Sequence, residues 1–192
     1  MSLHVPMMGI NTATKTAIDY FNQGNQLKQE GQFVEAIAAY KAAIDRDASN
    51  FWYPYQIGEI LLKLDDIEGA ITHLQAAIRL NSSFSWSHHF LGEALARKGQ
   101  IVEAETAFRQ AIALDANCSW SYYGLAEILA TQEKFQEAIN CCCRSIELYP
   151  VFHGAHHCLR NLLSRHNQLG QGETWYRQVL ATNENSWLHH FL

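Results

Sequence analysis

The chain has 192 residues, of which 48% are hydrophobic and 17% charged, with a net charge of −5 and a pI near 6.0. This composition can bury a core, and its acidic balance argues against nucleic acid, whose binding rests on Lys and Arg neutralising phosphates. No apolar run approaches the roughly 20 residues of a membrane span, and no charged-then-apolar leader precedes the first helical pattern, so no membrane partner is expected. The five cysteines are odd in number, and Cys141, Cys142 and Cys143 are adjacent. Helix neighbours point about 100° apart, so these three form neither a disulfide framework nor a metal cage. Free thiols point to a reducing, cytoplasmic setting.

Met1 to Thr16 is polar and small and carries Pro6 and Gly9. It reads as a linker or loose end, with Thr12 to Thr16 starting the first helix and Met1 to Leu3 resembling a cloning remnant. Beyond it the sequence repeats every 34 residues. Leu27, Leu61, Leu95, Leu129 and Leu163 form one column. Gly24, Gly58, Gly92 and Ala126 form a second, with Arg160 as the deviant. Ala36, Ala70, Ala104, Ala138 and Gly172 form a third; Ile44, Ile78, Ile112, Ile146 and Leu180 form a fourth. A fixed period of this size marks a stacked-repeat architecture. The spacing predicts five units, at 17–50, 51–84, 85–118, 119–152 and 153–186, each a pair of helices.

In the third unit the first helix is predicted from Trp86 to Lys98, with Phe90, Leu91, Ala94 and Leu95 on its apolar face. Ser85 is expected to cap it and Gly99 to end it. The second helix is predicted from Val102 to Leu114, burying Ala104, Ala107, Phe108, Ala111 and Ile112. Pro150 marks the end of the corresponding helix in the fourth unit. Gly92 and Ala104 sit where the two helices must approach closely, since larger residues would push them beyond the usual ~8–10 Å separation. Phe33, Ile67, Ile101, Phe135 and Leu169 open the second helices and are expected to plug each pair from its end. One pair cannot bury its apolar face alone, so stability depends on neighbours.

These columns closely resemble the tetratricopeptide repeat family, whose pattern the third unit matches through Leu91, Gly92, Leu95, Ala104, Phe108 and Ala111, with Ala116 in place of its proline. The resemblance covers units one to five. The fifth departs most, through Arg160 and Gly172, and looser packing is expected there. The fold it implies is all-α: a right-handed solenoid whose first helices line a concave groove.

The resemblance places groove residues on the solvent face of each first helix. In the first unit these are Phe21, Asn25, Lys28 and Gln29; in the second, Trp52, Tyr55, Glu59 and Lys63. The third unit gives Trp86, His89, Glu93 and Arg97, and the fourth gives Trp120, Tyr123, Glu127 and Thr131. The fifth gives His157, Asn161 and Arg165. Trp52, Trp86 and Trp120 thus form a ladder, with Glu59, Glu93 and Glu127 beside it. Indole faces suit aromatic, proline, aliphatic or cationic groups. The bland alternative is that each Trp packs on the neighbouring unit and was copied by duplication. Glu59 precedes Lys63 by four residues, as Glu93 precedes Arg97, a favourable spacing for helix ion pairs. Glu127 faces Thr131 and is the better candidate acceptor for a basic or hydrogen-bonding ligand. The chaperone-binding branch of the family clamps a peptide carboxylate with Lys, Asn and Arg. Here Phe21, Tyr55 and His89 occupy those places and only Asn25 suits, which argues against that function.

The expected function is a non-catalytic scaffold that binds a protein or peptide segment in the groove, with no metal and no cofactor. Of the ten histidines, His153 and His157 have a metal-compatible spacing but lack a third ligand. Cys142 stands in the column of Tyr40, Leu74, Phe108 and Tyr176 and reads as a buried apolar residue. Two rivals remain. The chain resembles, loosely, the recognition arms of bacterial methyl-, sulfo- or glycosyltransferases, and Trp, Tyr and Glu also suit glycans. The closing SWLHHFL, Ser186 to Leu192, echoes Ser85 to Leu91. It is either the start of a truncated sixth unit or a short cap. Trp187, Leu188, Phe191 and Leu192 are a candidate self-association surface.

Overall fold

The computed structural model describes residues 15–165. The described residues hold nine helices and no strand. They run as α1 (Ala17–Gln29), α2 (Phe33–Arg46), α3 (Trp52–Lys63), α4 (Ile67–Leu80) and α5 (Ser85–Arg97), then α6 (Ile101–Leu114), α7 (Ser119–Thr131), α8 (Phe135–Leu148) and α9 (His153–Arg165). The segment before residue 15, the second helix expected in the fifth unit and the closing SWLHHFL lie outside the described residues.

The helices fall in antiparallel pairs, α1 with α2 through α7 with α8, and each second helix also packs on the first helix of the next pair. The chain is thus an all-α solenoid. Successive first helices touch as well: α3 meets α5, α5 meets α7 and α7 meets α9. No comparable contact joins the second helices. The first helices therefore crowd along the inner side of the curve and the second helices splay along the outer side.

Close approach within a pair follows from a matched column. A Cβ built on Gly24 would lie 2.6 Å from the Tyr40 ring, on Gly58 2.6 Å from Leu74, and on Gly92 2.9 Å from Phe108. In the fourth pair Ala126 replaces glycine, and the facing residue shrinks to Cys142. Tyr40, Leu74 and Cys142 are fully buried, and Phe108 nearly so. Phe108 is held from both sides, because a Cβ on Gly124 of the next helix would meet its Cζ at 2.5 Å.

The turn inside each pair is the same device four times. Gly31, Asp65, Gly99 and Glu133 all adopt the left-handed conformation, at φ of 77, 64, 81 and 60°. The next residue's N–H then bonds back to the leucine column: Gln32 to Leu27, Asp66 to Leu61, Gln100 to Leu95 and Lys134 to Leu129, at 2.8–2.9 Å. This satisfies carbonyls that a helix end leaves open. Phe33, Ile67, Ile101 and Phe135 are each the first residue of the helix that follows and pack against the core.

Two cap expectations are corrected or sharpened. Ser85 is the first helical residue, not the cap; that place belongs to Phe84, which makes no side-chain cap bond. The tight turn before α5 brings Phe84 into the aromatic packing described below, and an aromatic there replaces the polar cap. At α1, Thr16 is the cap, and its hydroxyl and Asp19 form a reciprocal capping box.

Two outcomes follow from these columns. Gly92→Ala or Gly124→Ala should lower stability in urea unfolding. Overpacking against Phe108, about 1–3 kcal/mol, opposes and outweighs the ~1 kcal/mol gain in helix propensity. Adding Phe108→Leu should recover part of the loss. Glu133→Gly should raise stability by roughly 0.5–1 kcal/mol, because relief of the ~1–2 kcal/mol left-handed strain exceeds the ~0.4–1 kcal/mol that glycine's freedom in the unfolded chain costs. An unchanged midpoint would show that Glu133 is unstrained.

Candidate functional site

The inner wall is built from the exposed sides of α3, α5, α7 and α9. Trp52 begins α3 and keeps 38% of its surface exposed; Trp120, near the start of α7, keeps 45%. Neither indole stands alone. Trp52 lies 5.0 Å from Phe84, and Trp120 lies 4.2 Å from Phe152. Each of these phenylalanines precedes the first helix of the next unit, so each indole rests across a junction. Trp86 is more deeply set, 5.2 Å from His89 and 5.9 Å from Phe90. Its column partner at the next junction is Cys118 rather than a phenylalanine. Phe84 and Phe152 were not singled out from the sequence. Their signal was an aromatic recurring two periods apart in the last position of a unit.

Tyr55 and His89 depart from the expectation of a solvent face. Both are only 8% exposed. Tyr55 meets Phe84 edge-on at 5.0 Å and Phe90 at 5.9 Å, and burial raises its phenol pKa. His89 sits among Trp86, Phe90 and Phe108, with Nδ1 3.1 Å from the Ser121 hydroxyl of α7. Ser121 in turn donates to the Cys118 sulfur at 3.2 Å. Burial lowers the His89 pKa from 6.5 to about 4. These two positions lie between adjacent first helices, which is why they are covered.

The three glutamates share a column but not an environment. Glu59 accepts from Lys28 of α1 at 2.6 Å and pairs with Lys63 at 3.1 Å. Burial opposes its charge, yet the two lysines prevail and hold the carboxyl below its ordinary range. Glu93 is 3.9 Å from Arg97, but Arg97 is turned towards the preceding unit. It donates to Asp65 at 2.6 Å and to the Leu62 carbonyl at 2.8 Å. Burial pushes the Glu93 carboxyl up, Arg97 pulls it back and Glu127 pushes it further. Glu127 is exposed and accepts from the Tyr123 hydroxyl at 2.5 Å, a partner the sequence did not reveal. On α9, His157 and Asn161 are both exposed, with their ring nitrogen and amide 3.0 Å apart. Arg160 reaches the other ring nitrogen at 3.2 Å.

A separate hollow of about 870 Å³ opens between α4, α5 and α6, lined by Ile71, Ile78, Leu91, Leu95 and Val102 among others. It shares no residue with the indole and glutamate ladders. Among the described residues no group of three or more His, Cys, Asp or Glu is arranged to hold a metal ion.

The buried histidine gives a pH signature. Because its folded pKa is depressed, His89 favours the fold above about pH 6.5, and that contribution fades as pH falls towards 4. The loss should approach ~3 kcal/mol at the acid end. His73 and His156 shift in the same direction and add to the slope. His89→Tyr places in the third unit the residue that Tyr55 and Tyr123 supply in their own. It should flatten stability between these pH values relative to the parent, read by denaturant midpoints; parallel profiles would contradict the assignment.

Comparison with known proteins bears on this architecture. A model described as "TPR repeat" matches residues 24–65, and one described as "Tetratricopeptide repeat" matches 55–117 and 91–150. No curated protein matches the chain significantly. Among solved structures, MamA protein is 21% identical with a TM-score of 0.75, over 88% of this chain and 92% of that one. YrrB, described as a TPR protein with an unusual peptide-binding site, is 19% identical with a TM-score of 0.71, over 93% and 92%. The first TPR of Spaghetti (RPAP3), bound to the HSP90 peptide SRMEEVD, is 22% identical with a TM-score of 0.60, over 65% and 99%. Identities this low speak to the fold alone. The matched repeats, the glycine-to-ring packing and the recurring turn together make the chain a member of the tetratricopeptide repeat family.

Proposed function

We propose that the chain is a non-catalytic interaction scaffold that holds a peptide or protein segment along its inner wall. The carrying observation is the stretch from α5 to α7. There α7 carries the half-exposed Trp120 and the exposed Glu127, and Glu127 acts on the Glu93 carboxylate of α5; the array itself leaves both charges largely uncompensated. A wall that offers an aromatic surface and unneutralised carboxylates suits a segment with an apolar or cationic side chain. Membership of the repeat family supports the reading. So do the peptide-binding site named for YrrB and the peptide held by the Spaghetti repeat. Trp52, Trp86, His157 and Asn161 extend the strip on either side. Tyr55 and His89 support it from beneath, by fixing the spacing of the helices that carry it. Glu59, already held by two lysines, serves the fold rather than the ligand. Among the described residues no helix is long and apolar enough to cross a membrane.

A peptide-display screen against the full chain, followed by calorimetric titration of the hits, tests this. Trp120→Ala should weaken the hits by at least about tenfold, which corresponds to ~1.4 kcal/mol at an aromatic anchor. Glu127→Lys should weaken the basic hits most and reduce the salt dependence of binding. Glu59→Gln should leave affinity within about twofold, the scale of a charge that contributes little outside the contact. If Trp120→Ala and Glu127→Lys bind every hit as tightly as the parent, with folding intact by circular dichroism, the inner wall is not the binding face.

A further inference from the structure

The bulky column that packs on the glycines also faces the next unit. At the junction of α6 and α7 the Phe108 ring fills the space over Gly124, whose added Cβ would meet it at 2.5 Å. Advancing both positions by the 34-residue period gives Cys142 on α8 and Cys158 on α9. A ring over a glycine is thus replaced by two thiols. The structure places them on packed neighbours: α8 lies against α9, and Cys158 packs on the core cluster that contains Cys142. Cys142 is fully buried, while Cys158 is partly exposed and is the thiol that solvent reaches. The other cysteines are placed differently. Cys141 and Cys143 flank Cys142 and diverge from it by about 100° around α8, and Cys118 accepts from Ser121 at an earlier junction.

We propose that Cys142 and Cys158 are a redox-sensitive pair, which a hydroperoxide converts into a disulfide fastening α8 to α9. The Cys158 thiol first gives its proton to solvent. Its thiolate then attacks one oxygen of hydrogen peroxide; the O–O bond breaks, giving a sulfenic acid and hydroxide. The Cys142 sulfur next attacks the sulfenic sulfur and forms the S–S bond. The displaced hydroxyl and the Cys142 proton leave as water. Two thiols lose two electrons and two protons in total, and one peroxide is reduced to two waters. A dithiol reductant reverses the bond by exchange. The order of steps follows from exposure, since Cys158 is the thiol that solvent reaches and Cys142 is enclosed. The neighbouring Cys142 thiol lowers the Cys158 pKa, against burial and the nearby Glu127 carboxylate. The neighbouring Cys158 and burial raise that of Cys142. Burial also lifts Cys141 to about 11 and Cys143 to about 12, so neither competes as a thiolate. The bond would fasten the helix that carries His157 and Asn161 to the fourth unit. The proposal stands independently of any ligand in the groove.

The test uses the full chain, treated with hydrogen peroxide, alkylated, and digested with trypsin without reduction. The monomer fraction is mapped by mass spectrometry. Cleavage after Lys134, Arg144 and Arg160 yields peptides 135–144, with Cys141, Cys142 and Cys143, and 145–160, with Cys158. The expected product is these two peptides joined, with Cys141 and Cys143 alkylated, two hydrogens lighter than the sum of the two so alkylated, and separated by dithiothreitol. Cys142→Ser and Cys158→Ser should each abolish the link, and Cys141→Ser and Cys143→Ser should keep it. The proposal is overturned if the parent yields no joined pair, or yields Cys158 only as sulfinic acid. It is equally overturned if Cys142→Ser retains the link, which would assign the bond to Cys141 or Cys143. The parent map decides the first two points without any variant having to fold.

Discussion

Everything in this solenoid depends on how closely the two helices of a pair can approach. In the first three pairs that distance is set by one contact repeated at the 34-residue period, a glycine backbone against a large side chain, and in the fourth Ala126 and Cys142 take the two places. Tyr40, Leu74 and Phe108 are too large to be covered unless the facing helix lacks a Cβ. Burying each such side chain contributes on the order of 1.5–3 kcal/mol, but only once the helix of the next unit closes over its other side. Phe108, held between Gly92 and Gly124, shows both halves of this requirement in one residue. The pair and the stack are therefore a single packing problem. No unit is stable apart from its neighbours.

The turn between paired helices imposes a second constraint, and it belongs to the architecture rather than to any residue. Four successive turns take the left-handed conformation at the same register, although only Gly31 and Gly99 adopt it without strain. Asp65 accepts that conformation and gains Arg97 as a partner in the next unit. Glu133 adopts it with no ion pair among the described interactions. Every turn closes on the same leucine carbonyl, so the connection between paired helices repeats from unit to unit. The repeated pair brings α3, α5, α7 and α9 into successive contact, and positions one period apart fall on adjoining first helices.

The period made most of this legible. Helix boundaries, the glycine and leucine columns and the plugging residues at the start of the second helices could all be read, because each recurs and each has one physical cause. The proposed binding face was harder, for a definite reason. Helical spacing assigns Tyr55 and His89 to the same side as Trp52 and Trp86. A first helix in a stack, however, touches its own partner and both adjacent first helices, so the polar-looking side narrows to a strip. His89 falls outside that strip and is buried despite its polarity. The junction rings Phe84 and Phe152 lie where the pattern suggested turns. The bond from Lys28 to Glu59 spans units and does not follow the four-residue spacing by which helix ion pairs are found.

These cross-unit contacts also give the repeated wall a direction. A glutamate stands at the same point of three successive units, but its surroundings differ. At Glu59 two lysines close the charge; at Glu93 a single arginine is shared with Asp65 and a backbone carbonyl; at Glu127 only a phenol donates. The negative potential available to a ligand therefore grows from the second unit to the fourth. A uniform ladder would let an extended segment bind in several registers of similar energy. On the proposed reading a graded one selects the register that sets a cation near Glu93 and Glu127 of α5 and α7. On the proposed reading, specificity comes less from the repeated residues than from the unrepeated neighbours that neutralise some of them and leave others open.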